Sequence, residues 1–317
     1  MDQQADADAN GLYVGRDDYI FLRGGKHGVF SYFTGVKSPD RKSPRIFRNN
    51  AEARTDFCAK TGRRFRMVIF PEKCVVLREK IDLPEQFSSL YERCYGPVMA
   101  GSRAEDNILY PVEALRENPA AMSRTDTHYA APGVLGVTEA LLADLFPEEI
   151  ETGMTMLRAL LTESTAFFGD LGRKFADPVG ETQLVMKGQA VPNTMASNGL
   201  QGNDGLMFLV SSPQALSDKT VLVFGDSFFR QLLQTLPVFY RRVVFCRSRY
   251  FHYEMVKAVK PDDIFCGLAE RYLSRCSPDT KRPHFLSYPL ALGRAIEPEP
   301  DFPALWDEMI YRAQLWR

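Results

Sequence analysis

The second half of the chain alternates short apolar runs with segments of helical character. The apolar runs predict strands at residues 221–224, 242–247 and 263–268, and the segments between them predict helices at residues 228–236 and 252–259. Successive positions of each strand are apolar, which is typical of strands that are covered on both faces. Strands that alternate with helices form parallel sheets. The pattern therefore predicts an α/β fold in which helices flank a mainly parallel sheet.

The first half is less regular and predicts N-terminal and central segments that decorate this sheet. Its predicted elements are short strands and turns within residues 11–35, a helix at 50–61, a strand at 66–70, helices at 134–146 and 151–165, and a hairpin or long loop at 180–205. Residues 1–10 are polar and acidic, which predicts a disordered leader. No clean linker interrupts the remainder, so residues 11–317 are predicted to form a single domain.

Composition narrows the classes of function. Of the 317 residues, 45% are hydrophobic and 25% are charged, which is ordinary for a soluble globular protein. The 39 basic and 40 acidic side chains leave a net charge of −1. Such a balance creates no general field that attracts nucleic acid, so we expect no nucleic-acid partner.

The sequence shows no membrane or export signal. No run approaches the roughly 18 to 20 apolar residues that are needed to span a bilayer. The acidic N-terminus is unlike a secretory signal peptide. We therefore expect a cytoplasmic protein as the sequence is written, or a periplasmic or exported one if a leader has been removed.

The six cysteines show no CxxC or CxH spacing, which is the spacing of common zinc sites. Several lie in apolar runs, so we predict buried, reduced thiols rather than metal ligands. We expect neither a metal nor a cofactor. The cysteines are Cys58, Cys74, Cys94, Cys246, Cys266 and Cys276.

The segment VLVFGDSFF, residues 221–229, carries the strongest chemical signal. A buried strand ends there, Gly225 permits a tight turn, and Ser227 begins the next helix. Ligands bind at the carboxyl ends of parallel strands, and the free N–H groups at a helix N-terminus stabilise a developing oxyanion. Ser227 is therefore a candidate nucleophile. The alternative is that Asp226 or Ser227 only caps the helix, since both residue types are favoured at that position.

A serine nucleophile needs a base, and His128 follows Asp126 by two positions in the segment SRTDTHYAAPG. A carboxylate at that spacing can accept a hydrogen bond from one imidazole nitrogen, which leaves the other free to take the proton of Ser227. An Asp-x-His triplet also arises by chance, and Asp126 could be an ordinary turn residue. The other histidines are predicted to be structural or at the surface; they are His27, His252 and His284.

The order of these segments resembles the alginate O-acetyltransferase family (AlgJ/AlgX type). The domain of that family is SGNH-hydrolase-like and places an Asp-x-His motif before its serine. The similar segments here are DTH at 126–128, GDSF at 225–228, and residues 15–25, 69–73 and 259–273. Together they extend over most of the chain.

The resemblance implies a serine-dependent transfer of an acyl group, with acetyl expected, to hydroxyls of a saccharide. Ser227 would be the nucleophile, His128 the base and Asp126 the residue that orients it. The implied partners are a glycan acceptor, an acyl donor and a membrane protein that delivers acyl groups. The alternatives are a carbohydrate O-acetylesterase, a non-catalytic carbohydrate-binding or assembly protein, and a phosphate site at the helix N-terminus. The phosphate site lacks a P-loop-like sequence.

Weaker candidates surround this trio. The backbone N–H groups of Ser227 and Phe228 are expected to hold the oxyanion, and a second donor is expected among loop asparagines that could equally be turn residues. Tyr129 stands where the family usually has Trp and is predicted to line the site. Glu270 and Arg271 match the family's Glu-Arg pair and are predicted to form a structural ion pair or cap. The candidate asparagines are Asn193, Asn198 and Asn203.

Overall fold

Seven of the eleven strands in the described part of the chain belong to one central sheet. The structure is a computed structural model and describes residues 3–25 and 28–315. The strands are β1 Leu12–Val14, β2 Ile20–Leu22, β3 Arg64–Phe70, β4 Ile108–Leu109, β5 Leu161–Phe167, β6 Glu181–Met186, β7 Thr194–Ser197, β8 Met207–Ser211, β9 Thr220–Gly225, β10 Arg242–Arg247 and β11 Asp263–Ala269.

Fourteen α-helices lie within the same described ranges, and most of them are short. They are α1 Gln3–Ala9, α2 Val29–Phe33, α3 Ser43–Lys60, α4 Lys73–Val76, α5 Leu90–Cys94, α6 Gly96–Met99, α7 Val112–Arg116, α8 Ala131–Leu142, α9 Ile150–Arg158, α10 Ser227–Gln231, α11 Leu236–Phe239, α12 Tyr253–Val259, α13 Tyr288–Leu292 and α14 Phe302–Met309.

The strand order of the central sheet is β4-β3-β11-β9-β10-β8-β7. Strands β4, β3, β11, β9 and β10 run parallel, whereas β8 pairs antiparallel with both β10 and β7. Helices α10 and α11 connect β9 to β10, and α12 connects β10 to β11. The prediction of a mainly parallel sheet flanked by helices is confirmed.

Consecutive apolar residues at positions 221–224 of β9 reflect a sheet that is covered on both faces. Leu222 and Phe224 point into one core cluster, to which α3 and α12 contribute. Val221 and Val223 point into the other, to which α8 and α9 contribute. Adjacent strand residues face opposite sides, so a strand that is covered on both faces carries apolar residues at consecutive positions.

The predicted helix at 151–165 is wrong in its second half. Helix α9 ends at Arg158, and Leu161–Phe167 instead form β5, which pairs antiparallel with β6 in a separate two-stranded sheet. Thr162, Thr165 and Phe167 are residue types that favour strands. The region 180–205 contains two strands, but they do not pair with each other, because β7 pairs with β8.

Two further predictions need correction. The helix expected at 228–236 is broken, because α10 ends at Gln231 and α11 begins at Leu236, with Pro237 in its first turn, where the ring is tolerated. The leader expected to be disordered contains a helix, α1, whose Ala7 is buried in a small cluster with Leu12 and Leu171. The polar composition of the segment does not predict this apolar contact of Ala7.

Four of the cysteines are buried, Cys94 and Cys276 are half-buried, and none forms a disulfide with another. Burial raises the pKa of the Cys58 and Cys266 thiols to about 12. Within the described ranges, no helix combines the length and the apolar character that a bilayer crossing requires.

Candidate active site

Ser227 is the first residue of α10, directly after β9. Asp226 caps this helix: its Oδ1 accepts a hydrogen bond from Phe228 N at 2.9 Å, and its Oδ2 accepts one from Ala269 N at 2.7 Å. A Cβ atom on Gly225 would lie 2.6 Å from the Cβ of Phe229, so the turn needs glycine. The capping role belongs to Asp226, which leaves the Ser227 hydroxyl available.

The Ser227 hydroxyl contacts His128. The distance from Ser227 Oγ to His128 Nε2 is 2.8 Å, and the distance from His128 Nδ1 to Asp126 Oδ1 is also 2.8 Å. An ionised carboxylate only accepts hydrogen bonds, so Nδ1 carries the proton and donates it. Nε2 is then the acceptor for the serine hydroxyl. The structure brings together the three side chains that the sequence predicts as a catalytic trio.

Asp126 is held in its ionised form. Burial by itself would raise the pKa of Asp126, but hydrogen bonds from the ring and the backbone N–H of His128 outweigh burial and hold that pKa below its ordinary value. The His128 side chain is 24% exposed and that of Asp126 is 16% exposed. The pair is therefore sheltered, yet the imidazole still reaches solvent.

The loop that carries Asp126 and His128 is closed at its base by an antiparallel bridge between Met122 and Tyr129. Glu181, the first residue of β6, holds the first half of the loop. Its carboxylate accepts hydrogen bonds from Arg124 N at 2.9 Å, from Thr125 N and Oγ1 at 2.8 Å, and from Ser123 Oγ.

Asp170 holds the second half of the loop. Its carboxylate accepts hydrogen bonds from Thr127 N and Thr127 Oγ1, each at 2.7 Å, and its own N–H donates to Asp126 Oδ2 at 3.0 Å. The preceding residue, Gly169, packs so closely that a Cβ atom there would lie 2.3 Å from the carbonyl oxygen of Thr125. The segment after β5 therefore fixes the position of Asp126.

Gln231 links the loop to the nucleophile helix. Its Nε2 donates to Tyr129 O at 2.8 Å, and its Oε1 accepts from Tyr129 N at 3.3 Å. Ser227 and His128 open into a cleft of about 450 Å³. Arg230, an exposed residue of α10, lines the same cleft.

The structure gives most of the weaker candidates roles that differ from those that the sequence predicts. The Phe228 N–H is already bonded to Asp226, so it is not a free oxyanion donor, and the buried Phe228 ring packs 4.8 Å from that of His128. Among the described residues, none accepts a hydrogen bond from the Ser227 N–H. This N–H is therefore available to an oxyanion. Tyr129 borders the cleft, but its ring is only 4% exposed and its hydroxyl donates to Pro71 O at 2.9 Å.

The asparagines stabilise turns and do not line the cleft. Asn198 donates from Nδ2 to Gly205 O at 2.9 Å, and Asn203 accepts from Arg247 Nη2 through Oδ1 at 2.6 Å. Asn193 donates to Val191 O at 3.1 Å. The structure does not support a role for them as a second oxyanion donor, because they lie outside the cleft and their amides are used in other hydrogen bonds.

Glu270 and Arg271 are buried, and they do not form the predicted ion pair with each other. Glu270 is buried and accepts from Ser89 Oγ at 2.7 Å and from Tyr91 N and Tyr110 Oη, both at 2.9 Å. Burial raises the pKa of Glu270 to about 7. The ion pair of Arg271 is with Glu72, at 3.1 Å.

Four residues that hold or line the site were not predicted from the sequence. Gln231 and Arg230 lie four and three positions after Ser227, a spacing that places them on the same helix face, so a helix prediction contains that signal. Asp170 and Glu181 carry no comparable signal, because they reach the loop only through the fold of β5 and β6.

Three side chains of the site also lie close enough together to bind a metal ion. Within the described residues, Asp126, His128 and Asp170 offer ligand atoms that lie within 4.8 Å of one another. The hydrogen bonds from His128 and from Asp170 N to the Asp126 carboxylate already account for this approach. The geometry needs no cation to explain it.

A second serine-histidine-acid chain lies elsewhere in the fold. Ser248 Oγ is 2.8 Å from His252 Nε2, and His252 Nδ1 is 3.1 Å from Glu254 Oε1. All three residues are buried, and His252 has no exposed surface. His252 is therefore structural, as expected. His284 bonds to Leu315 O, and His27 lies outside the described residues.

No protein-family model and no curated protein sequence matches the chain. Solved structures do match. PatB1 of Bacillus cereus is 12% identical with a TM-score of 0.56, over 74% of this chain and 92% of that one. A DHHW family protein from Eubacterium siraeum is 14% identical with a TM-score of 0.56, over 84% and 92%.

The O-acetyltransferase domain of Pseudomonas putida AlgJ is also similar to this chain. It is 17% identical with a TM-score of 0.50, over 90% of this chain and 99% of that domain. At such identities the likeness concerns the fold. The predicted SGNH-hydrolase-like fold is confirmed, and the resemblance to the alginate O-acetyltransferase family holds at the level of that fold.

Proposed function

We propose that this protein transfers an acyl group to a hydroxyl of a saccharide through an acyl-serine intermediate. Ser227 is the nucleophile, His128 the general base and Asp126 the residue that orients the imidazole. The observation that carries the proposal is the continuous chain from Ser227 Oγ through His128 to Asp126, with 2.8 Å at each step, at the edge of an open cleft. Residues 11–317 would form the single domain that performs the reaction.

The first half of the reaction acylates the serine. Ser227 Oγ attacks the carbonyl carbon of the donor ester while its proton passes to His128 Nε2. The carbonyl oxygen becomes an oxyanion, which the free Ser227 N–H can stabilise. The bond between the acyl carbon and the donor oxygen then breaks, and His128 returns its proton to that oxygen. The donor leaves as an alcohol.

The second half transfers the acyl group to the acceptor. His128 Nε2 takes the proton of an acceptor hydroxyl, whose oxygen attacks the acyl carbon. The bond from that carbon to Ser227 Oγ breaks, and His128 returns the proton to Oγ. In both halves Asp126 stabilises the imidazolium and keeps the Nδ1 proton in place. No metal, cofactor or redox partner takes part in these steps.

Two findings favour transfer to a saccharide. One of the similar structures is an O-acetyltransferase domain, and the segments that resemble the alginate O-acetyltransferase family contain Ser227, His128 and Asp126. Acetyl is the expected acyl group by that resemblance. With water as the acceptor the same trio would make the protein an O-acetylesterase.

The experiment is active-site labelling combined with turnover of para-nitrophenyl acetate. Wild-type protein is expected to react with a fluorophosphonate probe and to release nitrophenol, and Ser227→Ala is expected to lose both. Ser248→Ala is the matched control, because that serine also contacts a histidine but is buried, so both readouts should survive. A folded wild-type protein that neither labels nor turns over would refute catalysis and favour a carbohydrate-binding role.

Transfer and hydrolysis are then separated by the fate of the acyl group. The protein is incubated with the acetyl ester and an oligosaccharide, and the oligosaccharide is examined by mass spectrometry. A gain of one acetyl group that depends on Ser227 supports transfer. Release of free acetate with an unmodified oligosaccharide would identify an esterase.

A further inference from the structure

The cleft at Ser227 is lined by two chemically different sets of elements. The loop of His128 and the helix α10 contribute polar groups, including Arg230 and Gln231. Strands β5 to β8 line the cleft with apolar residues, with Gln183 as the exception; the others are Phe167, Leu184, Val185, Met186, Met195 and Phe208. We call this second set the apolar wall.

Two residues of the apolar wall are unusually exposed. Leu184 is 37% exposed and Met195 is 49% exposed, and both border the cleft into which Ser227 opens. Val134 and Leu233 also line the cleft and belong to one of the two core clusters that cover the sheet. Exposed large apolar side chains that share one concave surface mark a binding site for an apolar group.

The chemistry of the wall favours an alkyl chain over a sugar. A saccharide hydroxyl placed against Leu184 or Met195 would lose its water without gaining a hydrogen-bond partner, which is unfavourable. An alkyl chain leaves water favourably at the same place. Methionine adapts its shape to flexible ligands. The saccharide acceptor is better matched to the polar side of the cleft, where Arg230 and Gln231 lie.

We propose that the apolar wall binds the alkyl part of the acyl group, and that the protein prefers acyl chains longer than acetyl. This inference rests on the proposed function, because it concerns the donor of the same reaction. The bonds made and broken are unchanged: the longer acyl carbon is attacked by Ser227 Oγ, and its alkyl chain lies against Leu184 and Met195. The two residues determine specificity and take no part in proton transfer.

The test is a series of para-nitrophenyl esters from acetate through butanoate to hexanoate. Each kcat/KM is divided by the spontaneous hydrolysis rate of the same ester, which removes intrinsic differences in reactivity. We expect the normalised value to rise about two- to fourfold for each added methylene group. Replacing both Leu184 and Met195 with Gln should abolish this rise, so that the ratio of the normalised kcat/KM for hexanoate to that for acetate falls to about one.

A matched control replaces Leu290, which is 88% exposed in α13 and does not line the cleft, with Gln. It should retain the full chain-length preference. A wild-type protein that turns over acetate but shows a flat or falling series would overturn the inference and leave the proposed function standing. A double variant that keeps the preference would overturn it as well. Absence of both turnover and probe labelling with every ester would refute the proposed function and, with it, the inference.

Discussion

The Nε2 atom of His128 lies 2.8 Å from the Oγ atom of Ser227, although 99 positions separate the two residues in the chain. The serine sits at a strand-to-helix corner of the central sheet, and the histidine sits on a loop outside it. Their contact depends on Glu181, Asp170 and Gln231, which fix the loop against its surroundings.

Asp126→Asn should lower kcat by about 10⁴-fold while the protein stays folded. An amide that directs its NH₂ group at His128 Nδ1 forces the proton onto Nε2, which then cannot accept the Ser227 proton. With the NH₂ group at the position of Oδ1, the Asn oxygen takes the position of Oδ2 and still accepts from Asp170 N, so the loop keeps that contact although the His128 N–H loses its acceptor. The measurement is steady-state turnover of an acyl ester together with thermal unfolding. An unchanged kcat would mean that Asp126 does not orient the imidazole.

Asp170→Ala should lower kcat about 10- to 100-fold with a smaller effect on KM. The substitution leaves the Thr127 N–H and hydroxyl without their acceptor, so His128 is held less firmly against Ser227. Asp177→Ala is the matched control, since that aspartate is exposed on the same segment. Equal losses in the two variants would argue against a positioning role.

Gly169→Ala should destabilise the fold by about 1–3 kcal/mol and reduce activity, because the new Cβ meets backbone atoms of Thr125 and Asp126 that cannot move independently of the loop. Gly136→Ala provides the comparison. Its Cβ would approach Ala114 O only to 3.7 Å, and alanine favours the helix in which this glycine lies. Urea unfolding of both variants checks the prediction, and a Gly169→Ala protein as stable as wild type would contradict it.

Glu270 should make stability depend on pH. Burial raises the pKa of Glu270 from its ordinary value of 4.5 to about 7, so the folded protein binds this proton more tightly than the unfolded chain. The resulting stabilisation is complete below about pH 4.5 and is lost as the pH rises through about 7. The size of the effect is about 3 kcal/mol.

The measurement compares wild type with Glu270→Gln, whose side chain does not titrate. The free energy of unfolding of wild type minus that of Glu270→Gln should fall as the pH rises from about 5 to about 8. Using the difference cancels other groups, such as His252, whose pKa is lowered by burial and which acts in the opposite direction. A difference that stays constant across this range would show that Glu270 does not titrate there.

The buried chain of Ser248, His252 and Glu254 shows why side-chain order is not enough to identify a catalytic site. Its distances are close to those of the Ser227 site, yet none of its residues lines a described cleft and His252 has no exposed surface. A substrate could not reach the hydroxyl. The two arrangements differ in whether a substrate can reach the serine hydroxyl, and only the fold decides that.

The sequence by itself determined the parallel strands β9, β10 and β11 and singled out the three residues of the proposed catalytic trio. Strands β9, β10 and β11 were predictable because burial on both faces requires apolar residues at consecutive positions, a pattern that is local in the chain. The Gly-Asp-Ser corner and the pair of Asp126 and His128 are local as well, because each consists of residues that lie close together in the chain. Their spacing along the backbone sets the turn, the cap and the hydrogen bond to Nδ1.

The tertiary structure alone decided everything that joins distant segments. It turned Leu161–Phe167 into a strand through pairing with β6, and it joined Asn203 to Arg247 by a hydrogen bond. It also brought Asp170 and Glu181 to the loop of His128. Such contacts depend on how packed elements meet in space. They cannot be predicted from the residues that neighbour each position in the chain.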